Sequence, residues 1–487
     1  SDSVRVLNAL EWTSGQISGT GPLLVNGAID LTTSGLKDLQ GRTLTSEWTT
    51  RLADTGTLSI SQGAVFNNTG RFDAVSDAGI ANVFGGEATF LNAGTFVKTG
   101  AGTTTSISGV TFNNSGTVDI QSGTLSLAGG GTSSGSFTIG AGGTLEFAGG
   151  VSTLSTLTTA SSVAGSGVLR FAGGITDILG AYLATGPLLF TGGNATFNTA
   201  NSIVSGSLTI QSGTGTFNSP LTAGSLTISG GIGNFNAAAI TRDAALIAGG
   251  VLAGTGSLTV TGQAVWSTDN VLLGGGLLGT LSIANGATLD ISGTGVKFGA
   301  SATLRNSGTT IWRDSGPIRL DDGSIIDNRG RFEVRNDTFI GGGAGANLVF
   351  KNSGTFVKTA EIGTTVVGAA FNNTGSIEIL SGTLALRGGG FSTGSITGTG
   401  TMELSGFTVA GPYSVPNTVI SGTVLFNTNV TGLNTTLNGG LAGTGTVTTT
   451  RFFDWIGGDI TGGATIASEA ALDIRGSDFR QIHGGTL

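Results

Sequence analysis

One short pattern, apolar-x-Asn-x-Gly, returns along this chain at a nearly fixed period. Its copies are FNNTG (66–70), FLNAG (90–94), FNNSG (112–116), LRNSG (304–308), IDNRG (326–330), FKNSG (350–354) and FNNTG (371–375). The shared asparagines are Asn68, Asn92, Asn114, Asn306, Asn328, Asn352 and Asn373. Their spacings are 24 and 22 in the first cluster, then 22, 24 and 21 in the second. A second repeat, GSLTIQSGTGTFN (206–218), returns as GSLTISGGIGNFN (224–236), an offset of 18. Between the copies lie alternating segments such as GTLSLAG and GSIEILSG. Such segments read as strands of about four or five residues closed by Gly, Ser and Asn turns, and no stretch shows a helical period.

A unit of 18–24 residues holding two or three short strands suits one coil of a solenoid, since a propeller blade takes about 40 residues. The expected fold is therefore all-β: a parallel β-solenoid, right-handed, with 18–24 residues per coil. Coils stack at about 4.8 Å, so equivalent residues fall on one another. The recurring Asn is then expected to form a buried ladder, each side-chain amide bonding its neighbours above and below. The apolar residue two places earlier is expected to point inward, giving a core column of Phe66, Phe90, Phe112, Phe350 and Phe371. The Gly two places after the Asn is expected to supply a positive φ at a tight corner. Lys98 and Lys358, matched within FVKT, are expected to face solvent and protect an edge.

Composition supports a packed scaffold. Gly is abundant, at 89 of 487 residues, but the hydrophobic share of 38% is too high for a disordered Gly-rich chain. Aromatic residues are mostly Phe, 25 against 2 Tyr and 5 Trp, which favours core filling over recognition. A net charge of −8 without a basic run argues against a nucleic-acid partner. No apolar run reaches 18 residues, so no membrane-spanning helix is expected. With no Cys, disulfides and thiolate metal sites are excluded.

The chain also repeats on a longer scale. FNNSGTVDIQSGTLSLAGGG (112–131) returns as FNNTGSIEILSGTLALRGGG (371–390), inside a match of 57–150 to 317–407. Residues 12–44 align without gaps to 455–487, pairing Trp12 with Trp455, and a related start occurs at Trp266. These three Trp residues mark module starts. The expected division is 1–11 as the end of a preceding module, 12–265 as a first module, 266–454 as a shorter second and 455–487 as the start of a third. The chain thus reads as a window on a longer array, with itself as partner, head-to-tail or as a continuous repeat.

Catalytic signals are weak. The single His, His483, aligns with Gln40 in the internal repeat and is assigned no role. A carboxylate pair acting on a polysaccharide is the alternative reading. Its best candidate is WRDSGPIRLDDG (312–323), with Asp314, Asp321 and Asp322, Arg313 and Arg319, and Trp312 as a sugar platform. No cofactor is expected. Structural calcium at Asp-rich turns such as DDGSIIDNRG stays open, although neither an EF-hand nor a GGxGxD array is present. The sequons at Asn67, Asn113 and Asn372 use the first Asn of each pair, whereas the second is the one that recurs.

SGTLSLAGGG, SGTLALRGGG and GSLTISGG resemble the strand-turn repeats of bacterial surface β-helix proteins, among them autotransporter passengers, filamentous-haemagglutinin-like adhesins and matrix fibres. The resemblance implies an extracellular or cell-surface structural or adhesive role, with cell-surface or matrix glycans as partners. Internal module repetition argues against an enzyme, because one active site needs no duplicated scaffold.

Overall fold

The computed structural model describes residues 3–247, 249–267, 276–343, 347–360, 362–467, 470–477 and 480–484, with side-chain detail for all of these except 245–247. The chain is a parallel β-solenoid of about 22 turns at about 21 residues per coil, and no helix occurs among the described residues. It divides into two compact units, 1–240 and 241–487.

In the first unit a coil runs through Ala64–Asn68, Arg71–Ala74 and Ile80–Ala81, and the next through Ala88–Asn92, Thr95–Lys98 and Thr104–Ser108. Each strand pairs in parallel with its counterpart one coil on. Phe66 lies opposite Phe90 and Phe90 opposite Phe112, and on the second strand Phe72 lies opposite Phe96. The second unit repeats the arrangement with Ile325–Asn328, Arg331–Val334 and Phe339–Gly341, followed by Val349–Asn352, Thr355–Lys358 and Thr364–Val367. The strands are short because each corner must turn before the next side begins. Alternation sets one residue of each pair inward, as in Ala64, Phe66 and Asn68, all buried between half-buried Val65 and Asn67.

The corner after the Asn is built from backbone. In the first unit the N–H groups of Ala93 and Gly94 both donate to the Asn68 carbonyl one coil earlier, each at 2.9 Å. In the second, Ser353 and Gly354 donate to the Asn328 carbonyl at 2.8 and 3.1 Å.

The Gly of the motif is needed here, but not for a positive φ: none of Gly70, Gly94, Gly116, Gly330, Gly354 and Gly375 adopts one. Successive coils approach too closely for a side chain. A Cβ on Gly94 would lie 2.0 Å from the Gly70 carbonyl oxygen, and one on Gly354 would lie 2.0 Å from that of Gly330. The expected reason was wrong, and close backbone approach replaces it.

Candidate functional site: the asparagine corner

All seven motif asparagines are buried, none more than 1% exposed. In the first unit Asn68 Nδ2 donates to Asn92 Oδ1 and Asn92 Nδ2 to Asn114 Oδ1, both at 2.7 Å. In the second, Asn306 donates to Asn328 at 2.8 Å, Asn328 to Asn352 at 2.6 Å and Asn352 to Asn373 at 2.8 Å. The remaining Nδ2 proton reaches backbone: Asn92 donates to the Thr117 carbonyl at 3.0 Å and Asn352 to that of Ser376 at 2.9 Å. An amide inside the ladder therefore uses both protons and its oxygen, which is what makes burial of so polar a group tolerable.

The ladder ends are chemically distinct. The Oδ1 atoms of Asn68 and Asn306, which begin the two ladders, are buried with no donor. Beneath them the register places Ser46 and Ile283. At the far end of the second ladder, Asn373 donates to Ser392 Oγ at 2.8 Å, and that hydroxyl donates to the Gly394 carbonyl at 2.9 Å.

The Phe residues stack as columns. Ring centroids lie 5.1 Å apart for Phe66–Phe90, 5.6 Å for Phe90–Phe112 and 4.7 Å for Phe350–Phe371. A second column on the adjoining strand, unnoticed in the sequence, pairs Phe72 with Phe96 and Phe332 with Phe356. The two columns meet edge to face, as in Phe350–Phe356 at 5.3 Å and 86°. The Phe in the second place after the corner Gly, in RFDA, RFEV and TFVK, was available to find it. Both Phe112 and Phe371 are followed one coil on by glycine, Gly131 and Gly390, where a Cβ would lie 2.2 Å from the Phe carbonyl oxygen.

Trp12, Trp266 and Trp455 are buried. The indole N–H of Trp12 donates to the Gly15 carbonyl at 3.2 Å and that of Trp455 to the Gly458 carbonyl at 3.0 Å. Trp312 shares the column of Trp266, two coils on, through Ile291. It is wholly buried, with its N–H on the Gly316 carbonyl at 3.0 Å. It is a core residue and offers no face to a sugar.

The acidic cluster around it serves turns and ion pairs. Asp314 accepts from the Gly293 N–H at 2.8 Å and Asp321 from the Gly343 N–H at 2.5 Å. Arg313 makes a forked pair with Asp290 at 2.8 and 2.6 Å. Among the described residues no group of three or more His, Asp or Glu side chains is placed to hold a metal ion. The His483 side chain is exposed.

The lysines overturn an expectation. Lys98 and Lys358 are not at the surface but wholly buried, as are Lys37 and Lys297. A two-residue period puts Lys98 on the same side as Phe96, not opposite it, and the register stacks it between Ala74 and Ile120. Its ammonium donates to the Ser76 carbonyl at 3.0 Å, the Thr99 carbonyl at 2.8 Å and Thr103 Oγ1 at 2.6 Å. Lys358 donates to the Asn336 carbonyl at 3.0 Å and Thr365 Oγ1 at 3.1 Å, and pairs with Asp337 at 2.7 Å. Lys297 holds the Gly293 and Gly295 carbonyls at 2.7 and 2.9 Å. Lys98 and Lys358 thus tie the loop after their strands to the core, and Lys297 ties the loop before its own. Burial pushes the Lys37 and Lys98 ammonium groups below their ordinary pKa, with Asp54 and Asp77 opposing.

Outside each Asn ladder runs a groove, on the residues that alternate with the buried ones. In the first unit it measures about 480 Å³ and includes Asn67, Leu91, Asn113 and Thr132. In the second it measures about 580 Å³ and includes Asp327, Lys351, Asn372 and Phe391 at the corresponding places. No protein-family model matches the chain, and no characterised protein matches it in sequence.

Proposed function

We propose that the chain is a structural and adhesive repeat segment of a long extracellular bacterial fibre or surface protein, continued by further coils of the same kind or head-to-tail by further copies. The observation that carries this reading is the coil-to-coil repetition of interior chemistry. Within each unit, amide bonds to amide and ring stacks on ring, coil upon coil. Such one-dimensional stacking gives a surface that the next coil can always extend, and a stiff scaffold whose stability sums over neighbours. A heterologous contact of this type does not close on itself.

The role is read as non-enzymatic. The indole proposed as a sugar platform belongs to the core, and two carboxylates of the best acidic cluster accept backbone N–H groups. Electron microscopy of the purified chain across a concentration series tests the reading. Fibres that lengthen with concentration are expected. Compact particles that never associate, from a gene that encodes no further coils, would defeat it.

A further inference from the structure

Four of the five lysines in the chain are buried, and the fifth, Lys351, is exposed. It lies in the groove of the second unit and makes no ion pair among the described residues. On the coil to one side is Asp327, bridged by Arg305 at 3.6 Å and Arg329 at 2.8 Å. On the other side follow Asn372 and then Phe391, each one coil further. Phe391 is 40% exposed, whereas Phe350 and Phe371 beneath the same wall are wholly buried. The chain carries a net charge of −8, yet this wall gathers three cations against one carboxylate.

The corresponding groove of the first unit is an internal control. It has the same backbone and the same buried Asn ladder. It carries Leu91 in place of Lys351, Asn67 in place of Asp327 and Thr132 in place of Phe391. Folding alone therefore requires neither the ammonium nor the exposed ring.

We propose that the groove of the second unit binds a carboxylated oligosaccharide. The Phe391 ring takes the apolar face of a pyranose, Asn372 exchanges hydrogen bonds with its hydroxyls, and Lys351 with Arg329 receives a carboxylate on a neighbouring sugar. One side chain per coil at about 4.8 Å presents these groups in a line, which suits an extended chain of sugars. Charge-assisted hydrogen bonds give the ionic contact its strength, and the local positive field offsets repulsion from the acidic remainder. The inference rests on the surface or matrix reading only for where the ligand is met. Binding is measured on the isolated chain, and assembly is measured separately without sugar.

The probe is the β-1,4-linked tetramer of glucuronic acid, with cellotetraose as its neutral counterpart, titrated calorimetrically at low ionic strength. The full chain is expected to bind the acidic tetramer at least tenfold more tightly than cellotetraose. Lys351→Leu and Phe391→Thr install the residues that the first unit carries, so both should fold with unchanged melting temperature and each should weaken binding at least tenfold. The proposal is overturned if the acidic tetramer does not bind, if cellotetraose binds equally well, or if both variants keep the original affinity.

Discussion

The stretch 57–150 in the first unit and the stretch 317–407 in the second are two versions of one construction, and they differ by direction. Residues turned inward are nearly the same: Asn68 and Asn328, Asn92 and Asn352, Asn114 and Asn373, Phe90 and Phe350, Phe96 and Phe356, Lys98 and Lys358. Outward residues along the Asn-ladder strands differ at three of four matched places: Asn67 becomes Asp327, Leu91 becomes Lys351 and Thr132 becomes Phe391, while Asn113 and Asn372 agree. The interior is fixed because each residue must match the one above and below it. The outer wall has no such partner and is free to acquire a recognition surface in one unit and not the other.

The largest effect is expected where backbones touch. Gly94→Ala and Gly354→Ala each drive a Cβ to 2.0 Å from the carbonyl oxygen of the coil before. Neither neighbour is a flexible side chain, so each should cost about 3 kcal/mol or more and lower the melting temperature of its own unit by many degrees. Gly368→Ala, whose Cβ would lie 3.7 Å from the nearest atom at an ordinary φ, should be tolerated. Equal melting of all three variants, followed by calorimetry, would break the claim that the corner Gly is set by coil contact.

Next comes the comparison of the buried ammonium groups. Lys358→Met removes a partner from Asp337 and strands carbonyl oxygens, whereas the bonds of Lys98 go to carbonyls and a hydroxyl. Removing one member of a buried ion pair costs roughly 3–5 kcal/mol, and since Asp337 keeps some contact with water the lower end applies. Thermal melts should rank Lys358→Met below Lys98→Met. The reverse order would show that the loop carbonyls, not the carboxylate, dominate.

The ladders predict a smaller, position-dependent loss. Asn92→Ala and Asn352→Ala each remove an amide with neighbours on both sides, which should cost about 1–3 kcal/mol through orphaned groups. Asn114→Ala, at a ladder end, should cost less. Equal losses at middle and end would mean that each Asn acts alone.

The smallest expected effect is acid sensitivity confined to the second unit. Arg387 beside Glu403 and Arg475 beside Asp454 hold those carboxyl groups below the usual range. Such a group stabilises the fold above its ordinary pKa and loses that contribution as pH falls toward its lowered one. Hydrogen exchange at falling pH should therefore open the strands around 403 and 454 before those around 92. The lowered Lys98 works in the same sense but in the alkaline range: the unfolded chain holds more protons up to its ordinary pKa, so stability of the first unit should rise as pH climbs toward that value.

The sequence made the coil legible because the interior repeats residue by residue. The period of the Asn motif announces the solenoid, and the doubled FNN strings single out the second Asn as the recurring one, with Asn68, Asn114 and Asn373 buried and Asn67, Asn113 and Asn372 only half covered. Besides the second Phe column, three features escaped. The lysines did so because a charged residue is ordinarily solvated, and only the loop folded over the strand end supplies the carbonyls that hold it. The corner Gly carried the right residue but another cause, since coil-to-coil distance cannot be read from one coil. The indole of Trp312 looked like a platform because sequence shows an aromatic beside acids but not the side of the wall on which it stands.

The central claim is that the recurring residues act on one another across coils, and a double-mutant cycle on Asn328 and Asn352 tests it most directly. Asn328→Ala, Asn352→Ala and the double variant are compared by denaturant unfolding of the second unit's transition. Adjacent rungs share a 2.6 Å bond, so the losses should be non-additive by about 1 kcal/mol, the double variant costing less than the sum. Strict additivity would contradict the ladder and leave the period as a packing pattern without amide coupling.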